Sequence, residues 1–199
     1  MKTIDNVDTF LVEDLARVLR KGSKVYVLAD CFSLYLFEVL QPQLQGCASL
    51  HFLFKDKVNI VEEGPDPSGF IHKRSLLDHR GLVIDCIRWI QAKARFKVTH
   101  VLPGQEGCIL VANKHKIYEY TDPLGFTRQT LGWPETDPTI ARVLHNVEQL
   151  KDAAVEAAIT RQKLPANNLS SRHFQNLWND IERTKEVTDE VVDRIMRLW

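Results

Sequence analysis

The chain has 199 residues, of which 44% are hydrophobic and 26% are charged, and its formal net charge is zero. This composition is typical of a folded domain and excludes a disordered or low-complexity protein. No apolar run approaches the ~18 residues of a transmembrane helix, and the amino terminus has no signal-peptide core, so we expect a cytoplasmic protein without a membrane partner.

The four cysteines are spread widely, at positions 31, 47, 86 and 108. They form no CxxC pair and no local cluster with histidine, so a zinc site would require distant residues to converge. Buried thiols in a reducing compartment are the simpler interpretation. The sequence therefore predicts no metal and no other cofactor.

Helical and strand patterns alternate in the first part of the chain. Apolar residues recur at helical spacing in TFLVEDLARVLRKG (9–22), and KVYVLADCF (24–32) is a short apolar strand. SLYLFEVLQPQL (33–44) is a helix that Pro42 ends or kinks, and SLHFLF (49–54) alternates with the period of a strand. This order predicts an α/β domain with parallel strands.

The middle of the chain begins with a turn-rich loop, VEEGPDPSG (61–69), and a helix, LLDHRGLVIDCIRWIQAKA (76–94). Three β-like segments follow: FKVTHVL (96–102), GCILVANK (107–114) and KIYEYTD (116–122). The last two are close enough to form a hairpin.

From Asp137 onward the pattern becomes helical, and Thr188 is a good N-cap before two acidic residues. Three helical segments are predicted: TIARVLHNVEQLKDAAVEAAITRQK (139–163), SSRHFQNLWNDIER (170–183) and VTDEVVDRIMRLW (187–199). The sequence thus predicts an α/β domain over residues 1–134 and a helical carboxy-terminal extension over residues 135–199.

Three stretches carry a family resemblance: residues 15–44 with the strand that follows, residues 84–97 with a β-rich continuation, and FQNLWNDIERTKEVTDEVVDRI (174–195). Together they resemble the amino-terminal phospholipase D-like module found ahead of large bacterial Swi/Snf-type and DEAD/DEAH-type helicases, many of them on mobile elements. The resemblance implies a phospholipase D-like sheet flanked by helices, and a helicase motor as a domain or subunit beside it. No P-loop pattern occurs here, so this chain alone cannot be an ATP-driven helicase.

Phospholipase D chemistry, as the resemblance implies it, uses a histidine nucleophile, a lysine two positions later and a carboxylate. No H-x-K pattern occurs in the chain. His115 is followed at once by Lys116, which a strand would send to the opposite face, and Asp122 lies beyond. Such enzymes also need two motifs, from a duplication or from two subunits, which leaves a homodimer open. The resemblance therefore implies a degenerate site, with His115, Lys116 and Asp122 as its candidate catalytic residues.

The charge distribution permits a phosphate-binding face, and together with the family resemblance it suggests a nucleic acid, DNA in the first place, as partner. Residues 71–120 carry nine Lys/Arg and four Asp/Glu, whereas residues 1–70 carry seven and ten. Basic residues of the long helix recur at spacings of 7 or 8, on one side of that helix, although such charges more often form a solvated face. The candidate phosphate contacts are Lys73, Arg74, Arg80, Arg88, Arg95, Lys97, Lys114 and Lys116.

Our first hypothesis is thus a catalytically silent nucleic-acid-binding or accessory module of a helicase system. A second is a phosphodiesterase or nuclease with a rearranged His115–Lys116 site, and a third is a docking module that uses its last helices. A metal nuclease built from acidic side chains beside the turn-rich loop is a further arrangement, although these charges also suit a solvated loop. Its residues would be Asp56, Glu62, Glu63 and Lys55 or Lys57.

Overall fold

The computed structural model describes residues 1–4, 10–61, 76–100, 106–123, 125–126 and 159–197, with the backbone alone for residues 61 and 76–79. Within this part, five helices surround one large sheet. The helices are α1 (Leu11–Val18), α2 (Leu34–Gly46), α3 (Leu76–Lys93), α4 (Leu169–Asn179) and α5 (Thr188–Arg197). The strands are β1 (Lys2–Ile4), β2 (Lys24–Ala29), β3 (Phe32–Ser33), β4 (Ser49–Lys55), β5 (Ile60–Val61), β6 (Ala94–Thr99), β7 (Gly107–Ala112), β8 (Lys116–Asp122), β9 (Ile159–Pro165) and β10 (Thr184–Glu186).

Eight strands form a mixed sheet in the order β1-β9-β8-β7-β2-β4-β6-β10, and β3 pairs with β5 separately. Strands β2, β4 and β6 are parallel, as the alternation of helix and strand predicts. All other neighbours in the large sheet are antiparallel. The mixed α/β class is therefore confirmed.

The two faces of the sheet bury separate cores. Helices α1, α2, α3 and α5 cover one face, where Leu15, Phe37, Ile90 and Ile195 join the alternate strand residues. Helix α4 packs on the other face through Phe174. Each strand can face two cores because its side chains alternate in direction.

Pro42 does not end α2, which continues to Gly46. The helix loses one backbone hydrogen bond at Pro42 and is fastened downstream instead. The Trp89 indole donates to the Leu44 carbonyl at 3.1 Å, and the Lys93 ammonium donates to the Cys47 carbonyl at 3.0 Å. Tertiary contacts from α3 thus support the carboxyl end of α2.

The prediction for the carboxy-terminal part is wrong in one respect. Residues 159–163 were expected to be helical, but they belong to β9, which pairs with β8 and β1 in the main sheet. Strand β10 likewise pairs with β6. Strands from both sides of the predicted boundary at residues 134/135 therefore share one sheet. The proposed long helix otherwise falls on residues 139–158, outside the described part.

Both predicted carboxy-terminal helices are present, with α4 over Leu169–Asn179 and α5 beginning at Thr188. Residues 180–183, which were expected to continue α4, instead form a turn in which the Asp180 carboxylate accepts from the Arg183 N–H at 3.2 Å. The Thr188 hydroxyl accepts from the Phe96 N–H at 2.9 Å, so it fastens α5 to β6. Val191 and Ile195 are fully buried, and the apolar face of α5 is thus covered by its own domain. No helix of the described part is both long and apolar enough to cross a membrane.

Candidate functional site

The three candidate catalytic residues do not converge. His115 is exposed in the turn between β7 and β8, and Lys116 is the exposed first residue of β8. Asp122 is the last residue of β8 and is fully buried. Six residue steps along a strand separate Lys116 from Asp122 by about 20 Å. These side chains therefore cannot act on one phosphate in this structure.

Asp122 instead holds the loop that follows β8. Its carboxylate accepts from the Phe126 N–H at 2.6 Å, and its backbone carbonyl accepts from the Gly125 N–H at 3.0 Å. Phe126 is completely buried, although its φ of 53° is unusual for a side chain of this size. The carboxylate thus stabilises a strained turn whose aromatic ring fills space inside the domain.

This turn lies at the carboxyl ends of β2 and β4. The carboxyl ends of parallel strands are the edge at which open α/β sheets ordinarily bind ligands. Asp30 follows β2, and its carboxylate lies 3.4 Å from the ammonium of Lys55 at the end of β4. The Asp30 N–H also donates to the Gly125 carbonyl at 3.2 Å.

The backbone of the turn packs against this edge of the sheet. A Cβ placed on Gly107 would lie 2.6 Å from the Gly125 carbonyl carbon, and a Cβ on Gly125 would collide with the Lys55 ammonium. Gly107 therefore has no room for a side chain, and Gly125, at φ of 86°, has a backbone conformation that favours glycine. Within the described part of the chain, the turn thus closes this edge of the sheet.

The residues proposed for a metal nuclease also form no metal-binding arrangement within the described part of the chain. Lys55 forms its ion pair with Asp30, and Asp56 lies in a turn with φ of 64°. Lys57 is exposed, whereas Glu62 and Glu63 lie outside the described residues. No group of three His, Cys, Asp or Glu side chains within the described part could hold a metal ion.

A cavity of about 60 Å³ lies beneath α2 and is lined almost entirely by apolar side chains. The two polar side chains that line the cavity form hydrogen bonds with backbone groups. The Ser33 hydroxyl accepts from the Leu36 N–H at 3.1 Å, and the Cys31 thiol donates to the Phe126 carbonyl at 3.7 Å. The cavity therefore provides no groups for polar chemistry.

The predicted phosphate contacts fall in separate regions. Arg80 and Arg88 are exposed on α3, on one side of the sheet. Arg95 cannot share their helix side, because α3 ends at Lys93 and Arg95 belongs to β6. Lys73 and Arg74 lie outside the described residues.

Lys97 has a structural role on the α4 side of the sheet. Its ammonium donates to the Trp178 carbonyl at 2.7 Å and lies 4.8 Å from the centre of the Trp178 ring. A cation held by a carbonyl and an aromatic ring fastens α4. It is a poor candidate for a phosphate contact.

Two basic residues of β9, which the sequence analysis did not identify, join Lys114 and Lys116 on one surface. In the antiparallel register, Tyr118 lies opposite Lys163 and Tyr120 opposite Arg161. Lys116, Tyr118, Arg161 and Lys163 therefore share one face of β8 and β9, because alternate residues and cross-strand partners point the same way. We call these four residues, with Lys114 in the adjoining turn, the β8–β9 basic surface.

The lysines of this surface are not neutralised. Arg161 pairs with Asp14 at 2.9 Å, but Lys114, Lys116 and Lys163 form no ion pair with any described carboxylate. The neighbouring Lys116 side chain lowers the pKa of Lys163, because two protonated ammonium groups close together disfavour each other's charge. Two neighbouring exposed ammonium groups with no acidic partner in the described part of the chain give this surface a positive potential.

The alternation of Arg161 and Lys163 in ITRQKLP was the available signal for this surface. It was missed because the preceding residues predict a helix, and because β8 and β9 are far apart in the sequence. A strand contact of this kind depends on tertiary pairing.

Comparison with known proteins adds no family name, since neither the models of protein families nor the curated proteins contain a match to this chain.

Proposed function

We propose that this protein binds nucleic acid through the β8–β9 basic surface, as an accessory module of a helicase system without catalysis of its own. The observation that carries the proposal is the position of Lys116 and Lys163 on one face of the paired strands β8 and β9, where both are exposed and neither pairs with a carboxylate of the described residues. DNA phosphates are the abundant polyanions that such a surface would contact in the cytoplasm. The helicase context rests on the family resemblance alone.

The closed edge of the sheet supports a silent module. A phosphodiesterase needs its nucleophile and its phosphate-binding lysine within reach of one phosphorus atom. Here His115 lies at one end of β8, and the turn held by Asp122 occupies the other end. Contacts to phosphates would then supply the affinity, with little sequence preference.

We expect double charge reversal of Lys116→Glu and Lys163→Glu to weaken binding of fluorescein-labelled DNA about tenfold or more in low salt. Each lysine that contacts a phosphate adds about 1 to the slope of log affinity against log salt. The slope should therefore fall by about 2 in the double variant. Fluorescence anisotropy over a salt series measures both quantities.

The matched control is Lys21→Glu with Lys57→Glu, which changes the net charge equally at two exposed lysines elsewhere. Equal loss of affinity in both double variants would show a general charge effect and would reject this surface. The DNA is examined for cleavage with and without magnesium. Cleavage that His115→Ala abolishes would overturn the silent assignment in favour of the rearranged site.

A further inference from the structure

An aromatic side chain lies within the β8–β9 basic surface. Tyr118 is partly exposed, two residues after Lys116 on the same face and directly opposite Lys163 in the sheet. The Arg161 guanidinium carbon lies 5.7 Å from the centre of its ring. Cations thus flank the ring along β8 and across to β9.

The ring is supported from beneath and from one side. Tyr118 packs against the core that α1 and the sheet enclose, and Arg161 is fixed by its 2.9 Å bond to Asp14. The ring is therefore oriented before any ligand arrives, which reduces the entropy cost of binding. Its hydroxyl forms no hydrogen bond in the described part of the chain, so the ring itself is the feature offered to a ligand.

The shape of the surface disfavours a duplex as ligand. Proteins read the major groove with a helix or a two-stranded ribbon that enters it. Strand β8 is paired on both sides, with β7 and with β9, so it is not part of a free two-stranded ribbon that could enter a groove. The bases of a single strand are free to stack on a ring in a sheet face while its phosphates meet the flanking cations.

We propose that the β8–β9 basic surface binds single-stranded nucleic acid, with one base stacked on Tyr118 and the adjoining phosphates on Lys116 and Lys163. This inference rests on the proposed function and narrows its ligand. Spacing agrees with it, since residues two apart on a strand are separated by about 7 Å and neighbouring strands by about 4.8 Å. Cations at these distances can reach phosphates on both sides of one stacked base.

The test uses oligo-dT, the same strand annealed to its complement, and an oligonucleotide of equal length whose sites are abasic. The intact protein should bind oligo-dT more tightly than the duplex. Tyr118→Leu keeps an apolar side chain but removes the ring, and should weaken oligo-dT binding by about 5- to 150-fold. On the abasic strand, the same substitution should change affinity less than twofold.

Tyr118→Phe is the matched control, because it keeps the ring and should bind oligo-dT as the unchanged protein does. Equal affinity for single strand and duplex, or equal loss on dT and abasic strands in Tyr118→Leu, would overturn this inference while leaving the basic surface intact. Absent binding to all three oligonucleotides would instead reject the proposed function itself. Circular dichroism of each variant confirms that any loss is not due to unfolding.

Discussion

Asp14 is a buried carboxylate that joins α1 to three strands. It accepts from Lys2 on β1 at 2.7 Å, from the Tyr120 hydroxyl on β8 at 2.9 Å and from Arg161 on β9 at 2.9 Å. Burial acts to raise the pKa of Asp14, but these hydrogen bonds and the two cations together lower it below the usual value. Asp14, a residue of α1, thereby holds Arg161 of the β8–β9 basic surface in place.

We expect Asp14→Asn to reduce the free energy of unfolding by about 2–3 kcal/mol at neutral pH, because two partly exposed cations and a buried hydroxyl lose their charged acceptor. Urea denaturation measures this. A carboxyl whose folded pKa is depressed contributes stability above its unfolded pKa of ~3.9, and loses it as the pH falls through the folded value.

The difference between Asp14→Asn and the unchanged protein should therefore be constant above about pH 5 and shrink below about pH 4. Glu13→Gln on the same helix is the control, since the partner of Glu13 among the described residues is exposed Arg17 and the substitution should change stability by less than about 0.5 kcal/mol. A difference that persists unchanged into acid would contradict the role assigned to the Asp14 charge.

The turn after β8 determines whether the edge of the sheet at the carboxyl ends of β2 and β4 is open. Gly22 and Gly125 have nearly the same φ, 82° and 86°. A Cβ on Gly22 would meet nothing within 4 Å, whereas one on Gly125 would meet Lys55 and Asp30. Substitutions at the two glycines therefore distinguish the free-energy cost of a left-handed residue from the cost of the contacts that close the edge of the sheet.

We expect Gly22→Ala to lower the free energy of unfolding by about 1 kcal/mol, the cost of a left-handed residue with a side chain. Gly125→Ala should cost more, since the Lys55–Asp30 pair must also move. Thermal unfolding of both variants provides the comparison. Equal losses would mean that the loop after β8 has room to shift and that the edge of the sheet is not held closed.

The secondary-structure predictions were most successful where the periodicity of neighbouring residues was enough to assign a helix or a strand. The spacing of Leu50, Phe52 and Phe54 predicts β4, and all three are buried on one face. The segment 159–163 was predicted as a helix because it continues a helix-forming run, but pairing with β8 and β1 made it a strand. Local propensity is a weak prior that tertiary pairing overrides.

At the scale of the whole molecule, the carboxy-terminal helix is part of the main core. Helix α5 packs against α3 and β6, and Val191 and Ile195 are fully buried. This arrangement buries the described apolar face of α5 within the domain, and the docking hypothesis stays a prediction. A partner for these helices would have to bind elsewhere on them.

Ile195→Ala should accordingly reduce the free energy of unfolding by about 2–5 kcal/mol, as expected for a large-to-small change in a core. Met196→Ala, at a neighbouring position that is 46% exposed, should change it by less than about 1 kcal/mol. Chemical denaturation of both variants distinguishes the cases. If Ile195→Ala were as stable as Met196→Ala, α5 would not belong to the core.

The sequence by itself determined the α/β class, the parallel β2–β4 pair, the β7–β8 hairpin and the absence of an H-x-K motif, because these depend on local spacing and residue identity. Only the tertiary structure decided that Lys97 holds α4 and that Lys116 lies near Lys163 on the paired strands β8 and β9. Those facts depend on strand order and register, which bring together residues far apart in the chain. The physical reason is that side-chain direction is local, whereas the neighbour a side chain meets is set by non-local pairing.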